Sequence, residues 1–231
     1  MCAVLYTKCL EGKIMEICGK KVLFLGDSIT EGYGTSCEEK SYTNVFARMS
    51  GAEIYNYGIG GTRIARQHKP TLDKPHHDLN FVDRSLAMND EADLIVVFGG
   101  TNDFKHGDAP IGCFEDRCDT TFYGAMHTLI CNLYNKYPTT RVVFMTPLHR
   151  TFEHHNEKMY NNRYVTLKDY VNVIREVCEY YAVPVLDLYS VSGLQPAVEI
   201  NRELYMTDGL HPTDLGAERI AMILDSYIKT L

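Results

Sequence analysis

The chain has 231 residues, a length that fits one α/β domain with a sizeable hydrophobic core. Hydrophobic residues make up 45% of the sequence and charged residues 23%, a composition that excludes disordered, collagen-like and coiled-coil proteins. The formal net charge of −7 argues against broad binding to nucleic acid and against stable association with an anionic membrane. We therefore expect a single domain over residues 1–231.

The cysteines and the amino terminus bear on the compartment. Eight cysteines are scattered without a regular framework, which favours free thiols in a reducing compartment. Cys113 and Cys118 are only a weak candidate for a disulfide or a metal site, because no C-x-x-C pair accompanies them. Residues 1–20 lack the features of a signal peptide, and no apolar run reaches the ~18 residues of a membrane span. These patterns predict a cytoplasmic protein with an amino-terminal extension to which we assign no role.

The first half of the chain alternates strand and helix patterns. Short apolar runs that end at polar or glycine-rich turns predict buried strands at 22–25, 54–57 and 94–98. A helix is predicted at 38–49. The histidines, prolines and aspartates in 62–90 favour a long loop that contains one helix.

The second half continues this alternation, with strands predicted at 142–145 and 183–188. Helical spacing of apolar residues predicts helices at 122–137, 164–181 and 214–228. In the last helix, the residues predicted to face the sheet are Leu215, Ile220, Ile223, Leu224 and Tyr227. Alternating strands and helices favour a doubly wound parallel sheet, in which sites form beyond the carboxyl ends of the strands.

Ser28 is the first polar residue of interest at such a strand end. It follows the first strand through the turn Gly26-Asp27, a position that exposes a hydroxyl beside backbone N–H groups. The competing interpretation is a turn residue or a helix cap.

Two further polar segments follow the second and third strands. The glycine-rich segment 56–62 could bring backbone N–H groups close to an anionic oxygen, although a plain tight turn and an incomplete phosphate-binding loop are alternatives. Asn102, within 99–103, could direct its side-chain amide at the same oxygen, or it could simply hold its own turn.

A fourth segment, Asp208-Gly-Leu-His211-Pro, directly precedes the last predicted helix. An aspartate and a histidine three residues apart can fold back so that the carboxylate fixes the imidazole tautomer. His211 could then act as a general base toward Ser28. The alternative is that Asp208 stabilises a turn and His211 is a surface residue.

Together these four segments resemble the conserved blocks of the SGNH (GDSL-like) hydrolase superfamily, and they span residues 26–212. The resemblance implies a three-layer α/β/α sandwich with a flavodoxin-like, doubly wound, five-stranded parallel sheet. It also implies that Ser28, Asp208 and His211 form a catalytic triad. The backbone N–H groups of Ser28 and Gly61 and the amide of Asn102 would form the oxyanion hole. Gly61 is preferred to Gly60 and Gly58 because it ends the family pattern Asn-x-x-[Ile/Val]-x-Gly.

Other chemistries fit the sequence less well. Thr30 replaces the second glycine of a G-x-S-x-G elbow, which disfavours an α/β-hydrolase. Histidines at 76–77, 149 and 154–155 match no common zinc spacing, so we expect no functional metal. The expected reaction, hydrolysis of an ester through an acyl-enzyme on Ser28, requires no cofactor.

The substrate expected from the sequence is a small acyl ester. Aromatic, cationic and polar residues mix in the loops after the third and fourth strands, and no long apolar lid is visible. These loop residues are Phe104, Lys105, His106, Phe114, Arg117, His149, Arg150, Phe152, His154, His155, Lys158 and Tyr160. They favour a short acyl group, such as acetyl, on a carbohydrate or another small polar molecule. A lysophospholipase or thioesterase, an acyltransferase, and a non-catalytic carbohydrate-binding protein remain alternatives, and the sequence does not indicate an oligomeric state.

Overall fold

The computed structural model describes residues 16–154, 157–161 and 163–231. Its strands are β1 (Lys21–Gly26), β2 (Glu53–Gly58), β3 (Leu94–Phe98), β4 (Arg141–Met145), β5 (Met159–Tyr160), β6 (Arg163–Tyr164) and β7 (Val185–Leu186). Its α-helices are α1 (Ser28–Glu31), α2 (Tyr42–Ser50), α3 (Phe81–Ala87), α4 (Thr101–Lys105), α5 (Phe122–Lys136), α6 (Leu167–Tyr180), α7 (Leu188–Val191), α8 (Glu199–Tyr205) and α9 (Asp214–Ile228). Two short 3₁₀ helices cover Glu38–Lys40 and Pro75–Asp78.

Five parallel strands form the central sheet in the order β2-β1-β3-β4-β7. This order is that of the flavodoxin-like doubly wound sheet, so the predicted fold class is confirmed. The strands β5 and β6 form a separate antiparallel hairpin. Because all five strands of the central sheet are parallel, their carboxyl ends lie along one edge of the sheet.

Helices cover both faces of the sheet, which explains why the central strands are continuous apolar runs. Side chains of β1 alternate between two hydrophobic clusters: Leu23 belongs to the one that includes residues of α5 and α6, and Phe24 to the one that includes residues of α2 and α9. All five residues of β3 are buried. The hydrophobic core therefore consists of two clusters, one on each face of the sheet.

The predicted helix at 38–49 is wrong in one respect, because it is two elements. The 3₁₀ turn at Glu38–Lys40 ends at Ser41, whose hydroxyl accepts a hydrogen bond from the backbone N–H of Asn44 and caps α2. A similar cap shortens the predicted helix at 164–181: Thr166 and Asp169 form a capping box, and the helix begins at Leu167.

The end of the chain also needs two corrections. The strand predicted at 183–188 contracts to Val185–Leu186, because α7 begins at Leu188. The helix predicted at 214–228 has the predicted bounds, but Leu215 is 52% exposed rather than facing the sheet. Ala217 lies on the inward face instead and is buried in the core. Ile220 and Leu224 are buried as predicted, and Ile223 and Tyr227 are partly buried.

The segment 62–90 contains one α-helix, α3, as expected, together with the 3₁₀ turn Pro75–Asp78. Of the predicted extension, residues 1–15 lie outside the described residues, and Ile17 belongs to the core. Within the described part of the chain, none of the helices is both apolar enough and long enough to cross a bilayer.

Candidate active site

Ser28 lies at the carboxyl edge of the sheet, in the tight connection from β1 to α1. Asp27 caps α1 by accepting a hydrogen bond from the backbone N–H of Ile29 at 3.1 Å. A Cβ atom on Gly26 would fall 2.0 Å from the hydroxyl oxygen of Thr30, so this turn closes only with glycine there. Ser28 itself is 8% exposed. The connection thus fixes a nearly buried hydroxyl at the first residue of a helix.

His211 meets this hydroxyl from a segment 183 residues away, with 2.9 Å between Ser28 Oγ and His211 Nε2. On the other side of the ring, 2.7 Å separates Nδ1 from Asp208 Oδ2. An ionised carboxylate only accepts hydrogen bonds, so Nδ1 carries the proton and Nε2 presents its lone pair to Ser28. The arrangement is that of a nucleophile, a base and a group that orients the base.

The carboxylate of Asp208 is kept ionised by its surroundings. Partial burial by itself raises the pKa of Asp208, but hydrogen bonds from the backbone N–H and the ring of His211 outweigh it, and the net pKa is lowered. Asp208 Oδ1 also accepts from the backbone N–H of Leu210 at 3.0 Å. An ionised Asp208 stabilises the imidazolium that His211 becomes when it takes up a proton.

The loop that carries these two residues is closed on itself. The backbone N–H of Thr207 donates to the carbonyl of His211 at 2.8 Å, and Met206 pairs with Pro212 as an isolated bridge. Gly209 lies at the tip with φ of 79°, a left-handed conformation that favours glycine. The carbonyl of Gly209 accepts from the backbone N–H of Thr151, so the loop after β4 braces it.

Gly61 lies in the glycine loop after β2, beside Ser28. A Cβ atom on the neighbouring Gly60 would be 3.7 Å from Ser28 Cβ, which shows how near this loop passes. Gly61 has φ of 75°, and a Cβ atom there would fall 2.2 Å from Nε2 of His77. A side chain at Gly61 is therefore excluded by both backbone conformation and the covering His77 ring.

Asn102 reaches the same loop from α4, directly after β3. The side chain is buried, and its Nδ2 donates to the carbonyl of Thr62 at 3.0 Å. Asp103, the next residue, accepts from the backbone N–H groups of Ile64 and Ala65, both at 2.9 Å. Burial raises the pKa of Asp103, while these two hydrogen bonds favour its charged form. Asn102 and Asp103, which follow β3, thus fix the position of the glycine loop through hydrogen bonds to its backbone and to the residues after it.

Arg84 is a supporting residue that the sequence analysis did not identify. Its guanidinium donates to Thr62 Oγ1 at 2.9 Å, to the carbonyl of Gly26 at 3.1 Å, and to the carbonyl of Tyr57. Burial lowers the pKa of Arg84 to about 10, so the group stays charged at neutral pH. One side chain therefore ties the ends of β1 and β2 to the glycine loop. It lies in the segment 62–90, where no sequence motif marks it.

An open cavity of about 740 Å³ lies next to the Asn102 side of this arrangement. Its lining includes His106, whose Nε2 lies 3.2 Å from Asn102 Oδ1. The lining residues are Lys105, His106, Gly107, Phe152, Glu157, Lys158 and Tyr164. Four of them, Lys105, His106, Phe152 and Lys158, are among the loop residues that the sequence predicted to contact substrate. Phe114, also predicted, packs on His127 instead. His155 lies outside the described residues.

The histidines considered as metal ligands do not form a cluster. Among the residues described, no group of three or more His, Cys, Asp or Glu side chains is placed to hold an ion. His76 and His77 pack edge to face, with ring centroids 4.6 Å apart. His149 lies 2.8 Å from Glu153 Oε1.

Comparison with known proteins gives the family. The model of the GDSL-like Lipase/Acylhydrolase family matches residues 24–219, which include Ser28, Gly61, Asn102, Asp208 and His211. The chain belongs to this family. It is accordingly a carboxylic ester hydrolase, and the resemblance seen in the sequence is confirmed.

Several solved structures share this fold. One crystal structure is 34% identical, with a TM-score of 0.81 over 94% of this chain and 99% of the other. A protein from Lactobacillus plantarum is 30% identical, with a TM-score of 0.79 over 93% and 98%. The salicylyl-acyltransferase SsfX3 from a tetracycline biosynthetic pathway shares the fold at 20% identity, with a TM-score of 0.63 over 89% of this chain and 53% of the other. A comparison with curated proteins finds no significant match.

Proposed function

We propose that this hydrolase cleaves small polar esters through an acyl-enzyme on Ser28. The observation that carries the proposal is the continuous hydrogen-bonded chain from Asp208 through His211 to Ser28, with spacings of 2.7 and 2.9 Å. His211 is the general base and then the general acid, and Asp208 orients it and stabilises its charge.

The reaction proceeds in two balanced halves. His211 Nε2 removes the Ser28 proton as Oγ attacks the ester carbonyl, and the same proton then passes to the leaving alcohol as the C–O bond breaks. In the second half, His211 takes a proton from water, the resulting hydroxide attacks the acyl carbon, and Ser28 regains a proton as the acid is released. No external oxidant or cofactor enters either half.

Three donors would hold the tetrahedral oxyanion: the backbone N–H groups of Ser28 and Gly61 and Nδ2 of Asn102. Support comes from their attachment to a common frame, since the Asn102 amide is bonded to Thr62, one residue from Gly61. Donors fixed before the reaction stabilise developing charge without a reorganisation cost.

The cavity favours a polar alcohol portion. Lys105, Glu157 and Lys158 contribute ionisable groups, while Phe152 and Tyr164 contribute aromatic rings. Sugar rings stack on aromatic faces and bind polar side chains through their hydroxyls, and a few placed polar groups orient a ligand in its pocket. We propose a short acyl group, such as acetyl, on a carbohydrate or a similar small molecule.

A chain-length series tests this proposal. Wild-type protein and Ser28→Ala should be assayed on p-nitrophenyl esters from acetyl to palmitoyl, and on acetylated sugars. We expect kcat/KM to be highest for acetyl and to fall as the chain lengthens, with acetate released from sugars by the wild type alone. A maximum at long chains would contradict the short-acyl substrate and support a lysophospholipase or thioesterase with the same triad.

The same assay separates the remaining alternatives. The structural neighbour SsfX3 is an acyltransferase. An enzyme of that kind would transfer the acyl group to an added alcohol in preference to water. A non-catalytic carbohydrate-binding protein would bind the sugar without releasing acetate.

Cytoplasmic localisation and a single domain over 1–231 also remain proposals. The cysteines at 18, 37, 113, 118, 131 and 178 are free thiols, which supports a reducing compartment. Fractionation of the cells that produce the protein would test the first proposal.

A further inference from the structure

His106 contacts the side chain of Asn102 through one ring nitrogen. His106 Nε2 is 3.2 Å from Asn102 Oδ1, and Nδ1 is 3.1 Å from Nη1 of Arg63. Arg63 is 3% exposed and is held in turn by Asp78, with 2.7 Å between Nη2 and Oδ1. Four side chains therefore form one line that ends at the Asn102 amide.

The protonation of His106 follows from its neighbour. A guanidinium has only donors, so Nδ1 of His106 accepts from Arg63 and carries no proton. In a neutral imidazole the proton is then on Nε2, which donates to Asn102 Oδ1. Partial enclosure of the ring lowers the pKa of His106, and the charges of Arg63, His77, Lys158 and Arg150 lower it further, although the residue keeps an exposed edge. These groups favour the neutral tautomer.

This tautomer permits only one orientation of the Asn102 amide. As placed, Oδ1 accepts from His106 while Nδ2 donates to the carbonyl of Thr62 at 3.0 Å. A rotation of the amide by 180° would set Nδ2 against the His106 donor and Oδ1 against the Thr62 carbonyl, so both contacts would become repulsive. One N–H of Nδ2 is thereby committed to Thr62, which leaves the second for the oxyanion of the proposed function.

We infer that His106 is a positioning residue that holds the Asn102 amide in the orientation required for the oxyanion hole. The inference rests on the oxyanion role of Asn102 in the proposed function. His106 also lines the cavity, but its effect on p-nitrophenyl acetate, which lacks a sugar portion, should act through Asn102 and appear in kcat, with KM nearly unchanged.

A double-mutant cycle tests this coupling on a p-nitrophenyl acetate assay. Asn102→Ala should lower kcat by roughly 100- to 1,000-fold, the usual loss of one oxyanion donor. His106→Phe should lower kcat by about 10-fold and change KM by less than about 2-fold, since the amide remains but is less well aligned. His106→Gln, whose amide nitrogen can donate to Oδ1, should keep kcat within about 3-fold of wild type. The double variant should be no slower than Asn102→Ala within about 2-fold.

His68→Phe is the matched control, because exposed His68 also bonds through Nε2, to the carbonyl of Thr120 at 2.9 Å, in a neighbouring loop. It should keep the wild-type kcat. Should His106→Phe fail to fold as judged by circular dichroism, His106→Ala replaces it in the cycle. Full kcat in the His106 variant, or losses that multiply in the double variant, would overturn the inference alone. Full kcat in Asn102→Ala would instead overturn the oxyanion role on which it rests.

Discussion

Two histidine–carboxylate pairs lie in neighbouring loops of this hydrolase, and their inner geometry is nearly the same. His211 Nδ1 lies 2.7 Å from Asp208, and His149 Nδ1 lies 2.8 Å from Glu153. They differ in what the rest of the ring contacts. His211 Nε2 reaches the Ser28 hydroxyl, whereas the His149 ring stacks on Tyr189 with centroids 3.8 Å apart.

The carboxylates of the two pairs also serve different neighbours. Glu153 is 5% exposed and accepts from the backbone N–H of Arg150 at 3.0 Å, while its own carbonyl accepts from Leu167. Asp208 has a half-exposed side chain, and its second oxygen accepts from the backbone N–H groups of Leu210 and His211 in the same loop. We interpret the Glu153 pair as a brace for the loop after β4. A histidine–carboxylate pair thus indicates a catalytic base only when its second nitrogen faces a nucleophile.

The largest effect expected from this contrast is on turnover. Ser28→Ala and His211→Ala should each lower kcat by roughly 10⁴- to 10⁶-fold, and the double variant should be no worse, because the two residues act as one unit. His149→Ala should keep kcat within about 3-fold. Steady-state assays on p-nitrophenyl acetate measure all four variants. Equal losses for His149→Ala and His211→Ala would remove the distinction.

Substitutions of the two carboxylates should have smaller effects, on kcat for Asp208 and on the free energy of unfolding for Glu153. Asp208→Asn should lower kcat by roughly 100- to 10,000-fold with little loss of stability, because it disturbs the tautomer of His211. Glu153→Gln should leave kcat within about 3-fold but lower the free energy of unfolding by about 1–3 kcal/mol, since buried acceptors are lost. Urea unfolding alongside kinetics measures both. Unchanged stability in Glu153→Gln would contradict the brace.

A third effect, on stability alone, concerns Asp27, a carboxyl beside Ser28 without a histidine partner. Burial raises the pKa of Asp27 to about 7, from an ordinary value of 3.8. Between these values the folded chain holds a proton that the unfolded chain has lost, so the contribution of Asp27 to stability is present below pH 3.8 and is lost as pH rises through 7. The slope is at most about 1.4 kcal/mol per pH unit.

Asp27→Asn removes this dependence and keeps an acceptor for the backbone N–H of Ile29. The stability of the variant relative to wild type should therefore increase from pH 5 to pH 8, as measured by urea unfolding. A difference that stays constant over this range would show that the Asp27 carboxyl is ionised throughout.

The fold was largely predictable because its signals are local. Continuous apolar runs such as that of β3 identify buried parallel strands, and regular spacing identifies helices such as α5. Boundaries were less predictable where a cap decides them, as where Ser41 divides one predicted helix. The exposure of Leu215 was not predicted although the bounds of its helix were, because the choice of buried face depends on tertiary packing.

The five proposed site residues were identifiable from four short motifs, three at strand ends and one before the last helix, but the residues that support them were not. Arg84 and His106 act through contacts to backbone carbonyls and to one amide, and such contacts leave no periodic pattern in a single sequence. The substrate could not be predicted from the sequence either, because loop residues line the cavity and loop conformation depends on tertiary contacts.

The central claim is that Ser28 is a nucleophile activated by His211 and not by His149. A fluorophosphonate probe, followed by peptide mass spectrometry, tests it in wild type, Ser28→Ala, His211→Ala and His149→Ala. We predict one adduct per chain on Ser28, no adduct in Ser28→Ala, labelling slowed at least about 100-fold in His211→Ala, and the wild-type rate in His149→Ala. An adduct at another residue, or undiminished labelling of His211→Ala, would contradict the claim.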